Sequence, residues 1–198
     1  MSIIFKDRDG QTPLPHELRK GLKVKMIQTI GELDEYEEAN IAEGMAWLTK
    51  QKTSEYLDYA FWLKLHKKLF GDVWNWAGKV RVHDLNNPQF LEHHEIWTAL
   101  RALEQDSRFW VENDTYSKRE IIARIHERLL TIHPFPNGNG RFSRIMVDHM
   151  CKRLQLSTPT WGAHLQGKPK SRRMEYIRSI EEGRKKFSFK SLESFIFD

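Results

Sequence analysis

Twelve residues, HPFPNGNGRFSR at 133–144, concentrate the chemistry this chain can do. Gly138 and Gly140 flank Asn139 just ahead of an apolar helical pattern, and both permit backbone shapes in which N–H groups converge on an anion. A helix N-terminus adds unpaired donors and the positive end of a dipole. Arg141 and Arg144 fall three apart in the first turn and so share a side. Two guanidinium forks beside such a cradle suit a nucleoside triphosphate better than a lone phosphate. The side-chain amide of Asn139 is expected to hold a phosphoryl oxygen, and Asn137 to offer a carbonyl oxygen to a cation. His133, folded back by the turn, is placed to take a proton from a hydroxyl attacking phosphorus. Phe135, between two prolines, has no polar role and is expected in the core. A stiff connector between helices accounts for each residue singly; the combination reads as a phosphoryl- or nucleotidyl-transfer site.

The elements that must position these residues are helical. Leu33, Tyr36, Ile41, Met45 and Leu48 recur near helical spacing, as do Leu57, Phe61, Leu65 and Leu69, with Gly71 as a C-terminal stop. Residues 94–110 carry Ile96, Leu100 and Leu103. SKRE at 117–120 is a capping box that opens the helix of Ile121, Ile122, Ile125, Leu129 and Leu130. That helix must end near Ile132, because Pro134 disfavours helical geometry at His133. Phe142, Ile145, Met146, Met150 and Leu154 form the next helix, and two final helices are expected to separate near Gly183. Val80 and Val82 alternate with polar residues before Asn86, Asn87 and Pro88, which predicts a short hairpin. Residues 12–22 are Pro-punctuated and read as irregular.

With 198 residues, 39% of them hydrophobic and seven tryptophans, the chain can bury a sizeable core without a metal or disulfide staple. The single cysteine, Cys151, lies in a helical apolar pattern and points to a reducing, cytoplasmic setting. No secretory signal and no membrane-length apolar run is seen, so no membrane partner is expected. Net charge is +5, but the basic residues are dispersed; KPKSRR at 168–173 reads as a solvated helix end. DNA binding ranks last, since no recognition helix-turn-helix is evident. His126 and Glu127 lack the second helical histidine of a zinc site, and His93 and His94 read as surface residues.

The motif resembles the signature of the Fic/DOC family, His-x-Phe-x-Asp/Glu-Gly-Asn-Gly-Arg-x-x-Arg, and matches it at His133, Phe135, Gly138, Asn139, Gly140, Arg141 and Arg144. WNWAGKVRVHDL at 74–85 is similar to the family's flap hairpin, EYIRSIEEGRKKFSFKSLESFI at 175–196 to its closing helices, and the opening stretch to proteins labelled mobile mystery protein B. The resemblance implies an all-α, Fic-type helical bundle with a small β-hairpin flap, an N-terminal extension over 1–54 and a catalytic domain over 55–198. It implies an enzyme that uses ATP and Mg²⁺ to move AMP onto a Ser, Thr or Tyr hydroxyl of a target protein. In that reading His133 is the base, Gly138, Asn139 and Gly140 hold phosphates, and Arg141 and Arg144 steady the β- and γ-phosphates. Arg81, Val82, His83 and Asp84 align the target as an added strand.

One departure falls at Asn137, where the family has an acidic Mg²⁺ ligand; an amide oxygen lacks the charge of a tight hard-cation site. Phosphate transfer as a toxin component, or nucleotide binding without transfer, are the alternatives. ANIAEG at 39–44 partly matches the family's inhibitory helix, which implies Glu43 as a restraint on Arg144 although Ala39 replaces the usual hydroxyl residue. An antitoxin-like regulatory protein and oligomer formation are further expectations.

Overall fold

The computed structural model describes residues 19–51 and 55–198. Most of the Pro-punctuated stretch expected to be irregular, 12–18, lies outside them, as does residue 54 at the expected domain boundary. The described residues form two compact units, one of 19–51 and 55–81 with 135–142, the other of 82–134 with 143–198.

In the first unit, helix α1 (Ile30–Thr49) opens on a capping box: the Thr29 hydroxyl accepts the Glu32 N–H, and the Glu32 carboxylate accepts the Thr29 N–H. It packs on α2 (Tyr59–Phe70) where Gly44 meets the Lys68 carbonyl and Leu69; a Cβ at Gly44 would lie 2.7 Å from that oxygen. This approach fixes which face of α1 is inward. Ile30, Leu33, Ile41 and Leu48 are buried, together with the polar Glu37 and Asn40, whereas Tyr36 and Met45, expected on the apolar stripe, are 41% and 42% exposed. Phe61, Trp62, Leu65, Leu69, Phe70 and Trp74 fill the core, each contributing about 1.5–3 kcal/mol by leaving water. Asn40 ties α1 to the chain beyond α2: its amide donates to Asp72 Oδ2 at 2.9 Å and its oxygen accepts the Asp72 N–H.

In the second unit α3 (Ile96–Glu112) packs along α4 (Lys118–Ile132), and α6 (Pro169–Lys186) and α7 (Lys190–Phe197) pack on each other and on α4. The Ser117 hydroxyl caps α4 by accepting the Glu120 N–H at 3.1 Å. Helix α5 (Asn139–Arg153) starts in the first unit and continues into the second. The expected break at Gly183 does not occur. Here α6 runs through to Lys186 and ends at Phe187, whose φ is 54°. Gly183 serves packing instead. Without a Cβ it admits the Phe189 ring, which a Cβ would meet at 3.0 Å.

Among the described residues no β-strand forms, and an antiparallel bridge joins Leu22 to Trp74. The hairpin expected around 80–88 is instead a run of bends and turns. Its donors go to local or helical acceptors: the Asn87 N–H to the Leu85 carbonyl, the Gln89 N–H to Asn87 Oδ1, and the Leu91 N–H to the Thr131 carbonyl of α4. Pro88 has no N–H to give, so no ladder is built.

Candidate active site

The loop between α4 and α5 is shaped by local chemistry on each side. On the α4 side, His133 is the C-cap residue, left-handed at φ 46° and ψ 57°, with its N–H donated to the Leu129 carbonyl. A non-glycine residue in this region costs about 1 kcal/mol or more, as residues at functional sites often do. Nδ1 of the ring lies 3.2 Å from the Leu130 carbonyl, and Phe90 stacks on the ring at 3.8 Å. A carbonyl only accepts, so Nδ1 carries the hydrogen, and in the neutral ring Nε2 is the nitrogen with the lone pair. That is the tautomer a general base needs.

On the α5 side, Phe135 is fully buried and stacks on His66 at 3.6 Å. Asn139, 3% exposed, clamps the turn with both ends of its amide: Oδ1 accepts the Phe135 N–H at 3.0 Å and Nδ2 donates to the Phe135 carbonyl at 2.8 Å. Its side chain is therefore spent on the loop, and what it can offer a phosphate is its main-chain N–H at the start of α5. Gly138 has φ 79°, and a Cβ there would meet the Phe70 ring at 2.9 Å, so glycine is required on two counts. The Phe142 N–H closes the first helical turn on the Gly138 carbonyl, so the positive end of the α5 dipole faces this loop.

His66, which the sequence pattern does not single out, positions this turn. Its Nδ1 accepts the Gly78 N–H at 2.9 Å, which leaves Nε2–H to donate to the Asn137 carbonyl at 3.1 Å. The ring is fully buried, and burial pushes its pKa down to about 3, with Arg141 acting in the same direction. It is therefore a neutral, fixed-tautomer brace. A polar residue amid the apolar Trp62, Leu65, Leu69 and Phe70 of α2 was the available signal.

The arginines have different surroundings. Arg141 forms a two-pronged ion pair with Glu37 of α1, to Oε2 and, at 3.2 Å, to Oε1, and lies over the Phe70 ring at 4.8 Å. Glu37 Oε1 also accepts the Trp74 indole N–H at 2.6 Å. Glu43 lies on the exposed face of α1, and the buried Glu37 of the same helix pairs with Arg141. The signal for it was a charge on the buried stripe, one turn after Leu33. Arg144 is 8% exposed and faces the Tyr176 ring at 6.0 Å; the Tyr176 hydroxyl lies 2.8 Å from His126 Nε2. Burial, with Arg144 adding to it, pushes His126 down to about 3, so it is neutral. Glu127 pairs with Thr131 and with Arg184 at 3.3 Å. His126 and Glu127 are thus structural.

In the segment expected to dock a target, Arg81 is buried while Val82, His83 and Asp84 are exposed. Asp84 accepts the His93 N–H at 2.6 Å and lies 3.0 Å from His93 Nδ1. Asp84, Leu85, Phe90 and Leu91 line a cavity of about 590 Å³ together with Glu92 and Glu95. A hard cation at Asn137 is not supported by these residues. The amide oxygen is neutral and already accepts the Gly138 N–H at 2.7 Å, and among the described residues no group of three or more His, Cys, Asp or Glu is placed to hold a metal.

The motif residues occupy the loop that joins α4 to α5 and the first turn of α5 in a mostly helical chain, and comparison with known proteins bears on that segment. Residues 56–151 match the Fic/DOC family. Protein adenylyltransferase VbhT of Bartonella schoenbuchensis is 38% identical over 92 residues, 42% of this chain and 19% of that protein, so this chain spans about a fifth of its relative's length. The N-terminal FIC domain of Bep8 from Bartonella sp. 1-1C superimposes with a TM-score of 0.71 at 16% identity, covering 88% of this chain and 89% of that one. BepC from Bartonella tribocorum, solved with bound AMPPNP, gives 0.69 at 18% identity over 95% and 92%. Fic-1 from C. elegans gives 0.61 at 20% over 80% and 47%. These structural likenesses show the fold. No helix among the described residues is long and apolar enough to cross a membrane.

Proposed function

We propose that this chain is a Fic-type protein adenylyltransferase. A Ser, Thr or Tyr hydroxyl of a target protein gives its proton to His133 Nε2 and attacks the α-phosphorus of ATP. The new O–P bond forms as the bond to the β-phosphate bridge breaks, and pyrophosphate leaves. The observation that carries the reading is the Leu130 carbonyl holding Nδ1–H, which leaves Nε2 as the base. Gly138, Asn139 and Gly140 contribute main-chain N–H groups to the phosphates, and Arg141 and Arg144 contribute charge. The exposed Val82, His83 and Asp84, following Arg81, contact the target. Residues 1–54 serve as an extension to a catalytic domain over 55–198, and restraint on the site runs through α1. Glu37 is the residue that carries the restraint, because Arg141 must leave its carboxylate to reach a phosphate.

BepC was crystallised with AMPPNP and a related Fic domain from Bartonella quintana with ADP, which supports nucleotide as the ligand. The experiment is incubation of purified protein with a bacterial lysate and ATP labelled at the α- or the γ-phosphate. Transfer of α-label that disappears in His133→Ala is expected. Transfer of γ-label alone would make the chain a phosphotransferase, and ATP binding without any transfer would make it a nucleotide-binding module.

A further inference from the structure

Two Asn–Gly pairs sit two residues apart in the motif, and the structure treats them in opposite ways. Asn139 is buried and both ends of its amide are clamped on Phe135. Asn137 is exposed, and its side chain engages the next residue: the Gly138 N–H points at Asn137 Oδ1 from 2.7 Å, holding the Gly138 nitrogen beside the side-chain amide. The peptide that would react is also polarised. Its carbonyl, Asn137 O, accepts the His66 Nε2–H, and a donor on that oxygen stabilises the negative charge that develops when the Gly138 nitrogen gives up its proton. The start of α5 at Asn139 acts in the same direction through its positive dipole end. Gly138 adds no Cβ to obstruct approach.

We infer that Asn137 is a deamidation site that converts the neutral residue of this loop into an acidic one. The Gly138 nitrogen loses its proton to solvent base and bonds to Asn137 Cγ. The Cγ–Nδ2 bond breaks and ammonia leaves with a proton, giving a cyclic imide. Water then opens the ring: cleavage at Cγ restores the main chain with an aspartate side chain, while cleavage at the main-chain carbonyl gives isoaspartate. The net reaction is amide plus water to acid plus ammonia, and no oxidant or reductant is involved. The aspartate product places an anionic oxygen before the first turn of α5, the charge a hard divalent cation shared with nucleotide phosphates requires. The consequence for nucleotide rests on the transferase reading above; the reaction at Asn137 does not.

The full chain, folded and in urea, is incubated at mildly alkaline pH, and peptide mapping by mass spectrometry follows the amide-to-acid mass gain at each Asn–Gly pair. In the folded chain Asn137 is expected to convert at least about tenfold faster than Asn139, which must first open locally, whereas in urea the two convert alike. An intact Asn137 in the folded chain while the urea sample converts would overturn the inference. So would equal conversion of both residues in the folded chain, which would mark the reaction as one of unfolded molecules. The ligand consequence is read separately by calorimetric titration of Mg²⁺ into Asn137→Asp and wild-type protein, each with a non-hydrolysable ATP analogue. Tighter Mg²⁺ binding by Asn137→Asp is expected, and equal affinity would overturn that consequence. Failure of both proteins to bind the analogue would sink the transferase reading and leave the mapping result standing.

Discussion

Glu37→Gln separates what the Glu37–Arg141 pair does for the fold from what it does to the site. Glutamine keeps an oxygen for the Trp74 indole N–H, so that buried donor stays satisfied, and the carboxylate charge facing Arg141 is the main loss. A hydrogen bond to a charged partner is worth about 1.5–3 kcal/mol. Glu37 is 6% exposed but the Arg141 side chain is 20% exposed, so solvent recovers part of the loss, and a destabilisation of about 1–2 kcal/mol follows. Nucleotide binding moves the other way. A carboxylate that holds Arg141 must be displaced by a phosphate and then repels it, so its removal is expected to raise affinity about tenfold, equivalent to about 1.4 kcal/mol. Urea unfolding followed by tryptophan fluorescence measures the first quantity, and calorimetry with a non-hydrolysable ATP analogue the second. Lower stability together with lower affinity would refute the reasoning, since Glu37 would then be the brace that presents Arg141.

Three further outcomes are expected. His133→Asn keeps a residue suited to the left-handed region, so thermal stability should hold within experimental error while transfer falls by about 10²–10⁴ through loss of the base; retained transfer would remove His133 from the chemistry. Gly138→Ala, forced into φ 79° with a Cβ 2.9 Å from the Phe70 ring, should lose about 2–3 kcal/mol in urea unfolding, and an unchanged midpoint would show that the loop relaxes freely. For pH, burial holds His66 and His126 near 3, below the ordinary histidine value of 6.5, so they stabilise the fold above 6.5 and that contribution is lost as pH falls towards 3. Asp148 opposes this: burial raises it from 3.8 to about 6 despite the Trp161 indole N–H at 3.0 Å, so its stabilising contribution is full below 3.8 and is lost as pH rises through 6. Asp148→Asn should therefore steepen the fall of the urea midpoint between pH 6 and 4, and an identical pH profile would exclude the group.

Much of the helical plan was legible because its causes are local. The Ser117 hydroxyl reaches an N–H three residues on, and Pro134 stops α4 at Ile132. The errors arose where a neighbour far along the chain, or a competing acceptor, decided the outcome. Gly183 resembles a stop until Phe189 occupies the space beside it, and the alternating valines before Asn86 resemble a strand until the donors of 87–91 find turns and the Thr131 carbonyl. The same division runs through the site. Its residue types, their spacing and the place of the helix start were all present in 133–144. The partners were not: Glu37 is 104 positions from Arg141, and His66 is 71 from Asn137.

By itself the amino-acid sequence determined which side chains could act as base, anion cradle and charge, because backbone freedom at Gly138, the stop at Pro134 and the charge of an arginine belong to the residues themselves. Tertiary structure alone decided how each is set: that Asn139 spends its amide on Phe135, that a carbonyl fixes the His133 tautomer, and that Arg141 rests on Glu37. Hydrogen-bond partners and burial depend on which surfaces meet in space, and residue spacing along a chain does not encode that meeting directly.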